Sequence, residues 1–151
     1  MLDTSAVIGW VELQNSELVR WLLDSAGDAV PAIHAVTLGE LERGVLEATD
    51  ETTRTRRRAT LRFSAEELNV VSLSATGEQA HLFGVVSAAV SRKVSHNDCW
   101  ITAAALTADD TVVTMDKRLA DQLRAAADTD GHLADWLAAR ERTLDVKYCS
   151  R

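Results

Sequence analysis

A chain of 151 residues, 46% hydrophobic with a single proline, is sized for one domain around one core and excludes a disordered or low-complexity protein. Its net charge of −7, from 23 acids against 16 bases, argues against a protein that coats nucleic acid by charge alone. An enzyme with an acidic, metal-binding pocket and a local basic surface stays within those bounds. The apolar stretches fall far short of the roughly 20 residues that span a bilayer, and no signal-peptide pattern opens the chain. The expectation is a cytoplasmic protein with no membrane association. Cys99 and Cys149 make no disulfide framework, and Cys99 beside Trp100 reads as a small buried apolar residue.

In chain order, Met1-Leu2 leaves room only for a very short first strand, expected to fray at a sheet edge. Val7, Ile8, Val11, Leu18, Trp21 and Leu22 recur at helical spacing between Ser5 and Leu23, with a break near Asn15-Ser16. Asp24 to Asp28, with Gly27, reads as a turn. Ala29 to Val36 is short, apolar and bounded, hence a second strand despite Pro31 near its start. Thr37 to Ala48 and the charged Thr52 to Leu68 read as helices, the second carrying Arg54, Arg56, Arg57, Arg58 and Arg62. Val70 to Leu73 is a strand, followed by a long helix on Ala80, Phe83, Val86 and Val90. Asp98 to Leu106 is a short alanine-rich helix packing through Ile101, Ala104 and Ala105. Thr111 to Met115 is a strand and Lys117 to Ala127 a helix, with one more helix from Gly131 to Arg140 and a last strand from Leu144 to Tyr148. Short β-branched strands alternating with helices give an α/β fold with a mainly parallel sheet of about 4–5 strands, whose ligand site lies beyond the strands' carboxyl ends.

Three acids fall at those ends. Asp3 follows the first strand, Asp116 follows Thr111 to Met115, and Glu40 lies one helical turn beyond the second strand. Asp98 opens a helix whose small residues let it approach the sheet. Each also has a plain reading as a helix cap: Asp3 before Thr4 and Ser5, Asp98 and Asp116 at helix starts, and Glu40 reaching back to Thr37 in a capping box. Capping does not account for several acids following the same ends of neighbouring strands. Clustered carboxylates raise one another's pKa unless a cation sits among them, and an all-oxygen set suits Mg²⁺ or Mn²⁺. The natural chemistry of such a site is phosphodiester cleavage by metal-activated water.

At these residues the sequence resembles a PIN-domain nuclease, and more narrowly a VapC-type toxin of a bacterial toxin–antitoxin pair. The matching pieces are LDTSAVIG (Leu2 to Gly9), GELERGV (Gly39 to Val45), HNDCWITAAAL (His96 to Leu106) and VVTMDKRLAD (Val112 to Asp121). The resemblance covers residues 1 to about 121, and 128–151 carry no matching motif. It implies a single three-layer α/β/α PIN-like domain and a Mg²⁺- or Mn²⁺-dependent endoribonuclease with Asp3, Glu40, Asp98 and Asp116 as its acidic quartet. It also implies polar supports at Thr4 or Ser5, Asn97 and Thr114, a homodimer, and inhibition by a small antitoxin. Transfer RNA is a common target class among similar toxins.

The arginine run has two readings, a solvated helix face or contacts with RNA phosphates through Arg54, Arg56, Arg57 and Arg58. Lys117 and Arg118, next to Asp116, are better placed for substrate. Asp121 reads as solvated surface and His96 as an ordinary surface residue. The four histidines lack zinc spacing. Trp10, Trp21, Trp100 and Trp136 read as core or dimer-interface anchors. Two other functions stay open: a non-catalytic PIN-like interaction module whose acids are only caps, and an acidic α/β phosphatase. The phosphatase usually needs a second aspartate two positions after the first, where this chain has Ser5.

Overall fold

A computed structural model describes residues 1–26, 29–72, 77–129 and 131–150. Parallel segments of three residues or fewer form its sheet, and the shortest holds the others together. β1 (Ala32–His34) pairs with β2 (Asn69–Val71), and β3 (Val112–Thr114) pairs with β4 (Val146–Tyr148). Leu2 bridges the two pairs, parallel to Ile33 on one side and Val113 on the other. Its N–H reaches the Ala32 carbonyl at 2.8 Å, and the Asp3 N–H reaches the Val113 carbonyl at 3.0 Å. The order is therefore β2, β1, Leu2, β3, β4. The expectation of a frayed edge strand is corrected: two residues suffice because they lie at the sheet's centre, bonded on both sides.

Helices cover both faces, as the pleat requires when side chains alternate along such short strands. Leu2, Ile33 and Val113 point into one core with Ala6 and Val7 of α1 (Thr4–Val11), Leu18 and Leu22 of α2 (Ser16–Ala26) and Leu41 of α3 (Ala35–Leu46). Leu61 and Phe63 of α4 (Glu51–Glu67) pack against it. Met1 and Val112 point the other way, toward α5 (Glu78–Ala89) and α6 (His96–Ala108). Leu119 and Leu123 of α7 (Lys117–Asp128) and Leu133, Trp136 and Leu137 of α8 (His132–Ala138) complete that second core. This is the expected α/β/α layering, and the motif-free C-terminal segment supplies α8 and the outer strand β4.

Several boundaries differ from the sequence expectation, each for a local reason. The break between α1 and α2 carries Gln14 in the left-handed region at φ 48, and the Asn15 side chain then accepts the Leu18 N–H at 2.9 Å. The second strand ends at His34 instead of Val36, because His34 caps α3: its Nδ1 accepts the Val36 N–H at 3.2 Å. Burial pushes this imidazole below its usual range, which keeps Nδ1 a neutral acceptor. The capping box built on Thr37 and Glu40 is thereby corrected, since Thr37 lies inside α3, its buried hydroxyl meeting no hydrogen-bond partner among the described residues. Likewise α6 begins at His96, two residues before Asp98, with Ser95 as its cap. The turn expected from Asp24 is corrected, since α2 stays helical through Ala26; the rest of it, Gly27 and Asp28, lies outside the described residues, as does the strand end expected at Leu73. Among the described residues no helix is long and apolar enough to cross a membrane.

Gly9 lets α1 lie against the sheet. A Cβ there would stand 1.9 Å from the Met115 sulfur, whereas a Cβ at the exposed helical Gly84 would meet nothing within 4 Å. Gly84→Ala should therefore gain the helix propensity of alanine, about 0.5–1 kcal/mol. Gly9→Ala should lose about 1–2 kcal/mol through forced repacking of buried Met115. Urea unfolding midpoints that move in the same direction for both would contradict this account.

Candidate active site

Asp3 leaves the central strand with only 3% of its surface exposed. A carboxylate so buried needs donors, and its Oδ1 accepts the Ala6 N–H at 2.7 Å, so Asp3 also caps α1. The Ser5 hydroxyl lies 2.9 and 3.0 Å from its two oxygens, and the Thr114 hydroxyl donates to Oδ2 at 2.5 Å. Both hydroxyls also accept from the chain beyond β3, Ser5 from the Met115 N–H and Thr114 from the Asp116 N–H, each at 2.9 Å. Burial nevertheless outweighs these donors and raises the Asp3 pKa to about 6, with the charge of Asp98 adding to the rise.

The other three acids come from three further elements. Glu40, half-buried on α3, accepts from the Thr4 hydroxyl of α1 on one oxygen and from Asn97 Nδ2 of α6 on the other at 2.8 Å. The Asn97–Glu40 bond ties α6 to α3 at the rim of the site. Asp98 completes a capping box with Ser95: its Oδ2 accepts from the Ser95 hydroxyl at 2.8 Å and the Ser95 N–H at 3.2 Å. Ser95-His96-Asn97-Asp98 carries the S-x-x-D signature of such a box in the sequence itself. Asp116 caps α7, its Oδ1 accepting the Arg118 and Leu119 N–H groups at 2.8 and 3.1 Å.

The four acids share one electrostatic environment. Burial chiefly raises the Asp98 pKa, and the charges of Glu40 and Asp116 raise it further, against the hydrogen bonds from Ser95. All-carboxylate donors with mutual repulsion are the chemistry that a hard divalent cation relieves. Asp98 Oδ1 carries no hydrogen bond among the described residues, and Asp116 Oδ2 has only the Arg118 guanidinium at 3.8 Å. As the side chains stand, no three His, Cys, Asp or Glu among the described residues converge closely enough to hold one ion.

The basic candidates divide. Lys117 pairs with Asp121 at 2.5 Å on the exposed face of α7, which places Asp121 on the surface as expected. Arg118 stays beside Asp116. On α4, Arg54 is paired with Glu51 at 2.6 Å and Arg56 with Glu12 at 2.9 Å. Arg57 donates to the Gly44 carbonyl, and Arg58 is exposed. His96 is exposed at the start of α6, edge-on to Phe83. Cys99 is buried and its thiol is pushed up to about 11, leaving it inert. Trp100 stacks on Phe83, Trp10 packs edge-on to Phe63, and Trp136 lies in the second core beneath Arg140.

A parallel sheet between two helical layers, with Asp98 in electrostatic reach of Asp3, Glu40 and Asp116, defines the chain as a three-layer α/β protein. The PIN domain model matches residues 1–124, and the chain belongs to that family. No curated protein matches the sequence. Among solved structures it is similar to a chain of VapBC2 from Rickettsia felis bound to a DNA fragment from their promoter. That match has 20% identity and a TM-score of 0.64 over 81% of this chain and 91% of that one. It is similar to a chain of VapBC-5 from Mycobacterium tuberculosis, of the VapBC family of toxin–antitoxin systems, at 24% identity and TM-score 0.64, covering 98% and 96%. VapBC-1 from nontypeable Haemophilus influenzae gives 14% identity and TM-score 0.67, again covering 98% and 96%. At these identities the likeness is one of fold.

The raised pKa of Asp3 has a definite sign in stability. The folded value lies above the unfolded one, so the stabilising contribution is complete below pH 3.8 and is lost as pH rises through about 6. In EDTA, the wild type should lose up to about 3 kcal/mol relative to Asp3→Asn across that window. Parallel stability–pH curves for the two proteins, from urea titrations, would refute the assignment.

Proposed function

We propose that this chain is a metal-dependent endoribonuclease, the toxin of a toxin–antitoxin pair. The observation that carries the reading is the gathering of Asp3, Glu40, Asp98 and Asp116 from four elements onto one sheet edge, in a PIN-family fold. These four residues would hold Mg²⁺ or Mn²⁺, which when bound supplies an activated water and neutralises charge on the attacked phosphate. The protein's own part is positional. Ser5 and Thr114 fix Asp3, Thr4 and Asn97 fix Glu40 by both oxygens, and the turn after β3 presents Asp116. Lys117 and Arg118 follow Asp116, where an RNA phosphate would approach, and Lys117 would exchange its pair with Asp121 for that phosphate.

An antitoxin partner is supported by an apolar groove of about 740 Å³ between α1, α2 and α4, lined by Trp10, Val11, Val19, Leu23 and Phe63. Leu23 is 73% exposed there, the kind of surface that seats the apolar face of a helix. The solved VapBC proteins are toxin–antitoxin pairs by family, and a homodimer belongs to the same reading. A second reading has its own observation: Asp3, Asp98 and Asp116 each cap a helix, as they would in a non-catalytic interaction module. An aspartyl nucleophile of the phosphatase kind fits poorly with Asp3 at 3% exposure.

Incubating the purified protein with total RNA separates these readings. Cleavage should require Mn²⁺ or Mg²⁺, stop with EDTA and be lost in Asp3→Asn. A folded wild-type protein that leaves RNA intact in Mn²⁺ would overturn the ribonuclease reading and favour the interaction module, and release of phosphate from small esters would favour the phosphatase.

A further inference from the structure

A groove of about 400 Å³ opens from Glu40 between α1, α3 and α4, with Glu12, Arg43, Gly44, Arg56 and Arg57 on its walls. Its size is that of a small-molecule pocket, enough for a nucleotide unit of one strand and too small to seat a duplex. The arginines around it are not equivalent. Arg56 is held at 2.9 Å by Glu12, whose side chain is 8% exposed and also accepts from the Thr60 hydroxyl at 3.1 Å. Arg54 and Arg62 have carboxylate partners at 2.6 and 3.0 Å. Those three charges are already balanced.

Arg57 and Arg43 differ. Among the described residues Arg57 meets no carboxylate; its Nη1 donates to the Gly44 carbonyl at 2.5 Å, which lays the guanidinium across α3. Arg43 precedes Gly44, is 70% exposed along its side chain, and has only the exposed Glu47 at 3.8 Å. An exposed pair at that distance contributes little. Two weakly neutralised guanidinium groups thus line the groove one helical turn beyond Glu40. We propose that Arg43 and Arg57 form the phosphate-binding edge of the site, holding the backbone of single-stranded RNA along the groove that leaves Glu40.

The proposal rests on the ribonuclease reading and supplies what that reading needs. A polyanion entering four carboxylates is repelled unless fixed cations flank its path, and guanidinium forks match phosphate oxygens. Arg57 is pre-oriented by its bond to Gly44, so little side-chain freedom is lost when phosphate binds. Contacts of this kind carry no sequence information.

The test is fluorescence anisotropy with a labelled single-stranded RNA of about 12 nucleotides, with EDTA present so that the strand stays intact, across a range of KCl concentrations. The double variant Arg43→Ala/Arg57→Ala should bind about tenfold more weakly whatever the RNA sequence, with its salt slope shallower by about 1.4 for two lost phosphates. Arg54→Ala/Arg62→Ala should bind like the parent. Arg43→Lys/Arg57→Lys, which keeps the charges, should keep the slope and lose part of the affinity. Parental affinity and slope in the alanine pair would overturn the proposal and leave the ribonuclease reading standing. A parent that neither binds this RNA nor cleaves RNA in Mn²⁺ would overturn both.

Discussion

A carboxylate with 3% of its surface in water must be surrounded by donors, and the way Asp3 is surrounded organises the site. The donors come from the first turn of α1 and from Thr114 at the end of β3. Each hydroxyl is used twice. Ser5 gives its proton to Asp3 and takes the Met115 N–H, while Thr114 gives its proton to Asp3 and takes the Asp116 N–H. The central strand and the neighbouring turn are thus tied through one buried acid, and the position of Asp116 follows from the satisfaction of Asp3. This is possible because Leu2 pairs on both sides. An edge strand of that length would leave Asp3 in solvent, with the raised pKa gone and the hydroxyl network open.

The same acids serve two demands that pull differently. As caps, Asp3, Asp98 and Asp116 satisfy backbone N–H groups at the starts of α1, α6 and α7, where the helix dipole favours negative charge. As a cluster they repel, which is why Asp98 responds to both Glu40 and Asp116. Capping offsets part of the repulsion, letting the site fold with its acids in place. Glu40 caps no helix among the described residues and is held there by the side chains of Thr4 and Asn97. It is the acid whose position reports most directly on the packing of α1, α3 and α6.

What was legible in the sequence follows from the range of the forces involved. Periodicity located the helices of the described residues and the parallel α/β class, and strand ends pointed to Asp3 and Asp116, because both signals are local. The partners of Glu40 were not legible, since Thr4 and Asn97 lie 36 and 57 positions away along the chain. The Thr37–Glu40 capping box failed because a buried histidine took the cap instead, which depends on the tertiary setting of β1. Strand lengths were overestimated for a related reason: with three-residue strands, each helix starts as soon as its cap is in place. The frayed edge expected of Met1-Leu2 was wrong because chain order says nothing about position in a sheet.

Electrostatics beyond the quartet shows the same distinction between composition and placement. A chain of net charge −7 repels a polyanion at long range, so the number of arginines on α4 says little about nucleic-acid binding. Placement decides. Arg56 neutralises Glu12, whose side chain is 8% exposed, Arg54 and Arg62 lie in pairs within their own helix, and each is engaged where it stands. A cation becomes available to a ligand only when its acidic neighbours are distant or already engaged elsewhere. On the groove beside Glu40, that condition separates Arg57, anchored to a carbonyl, from its immediate neighbour Arg56, anchored to a carboxylate.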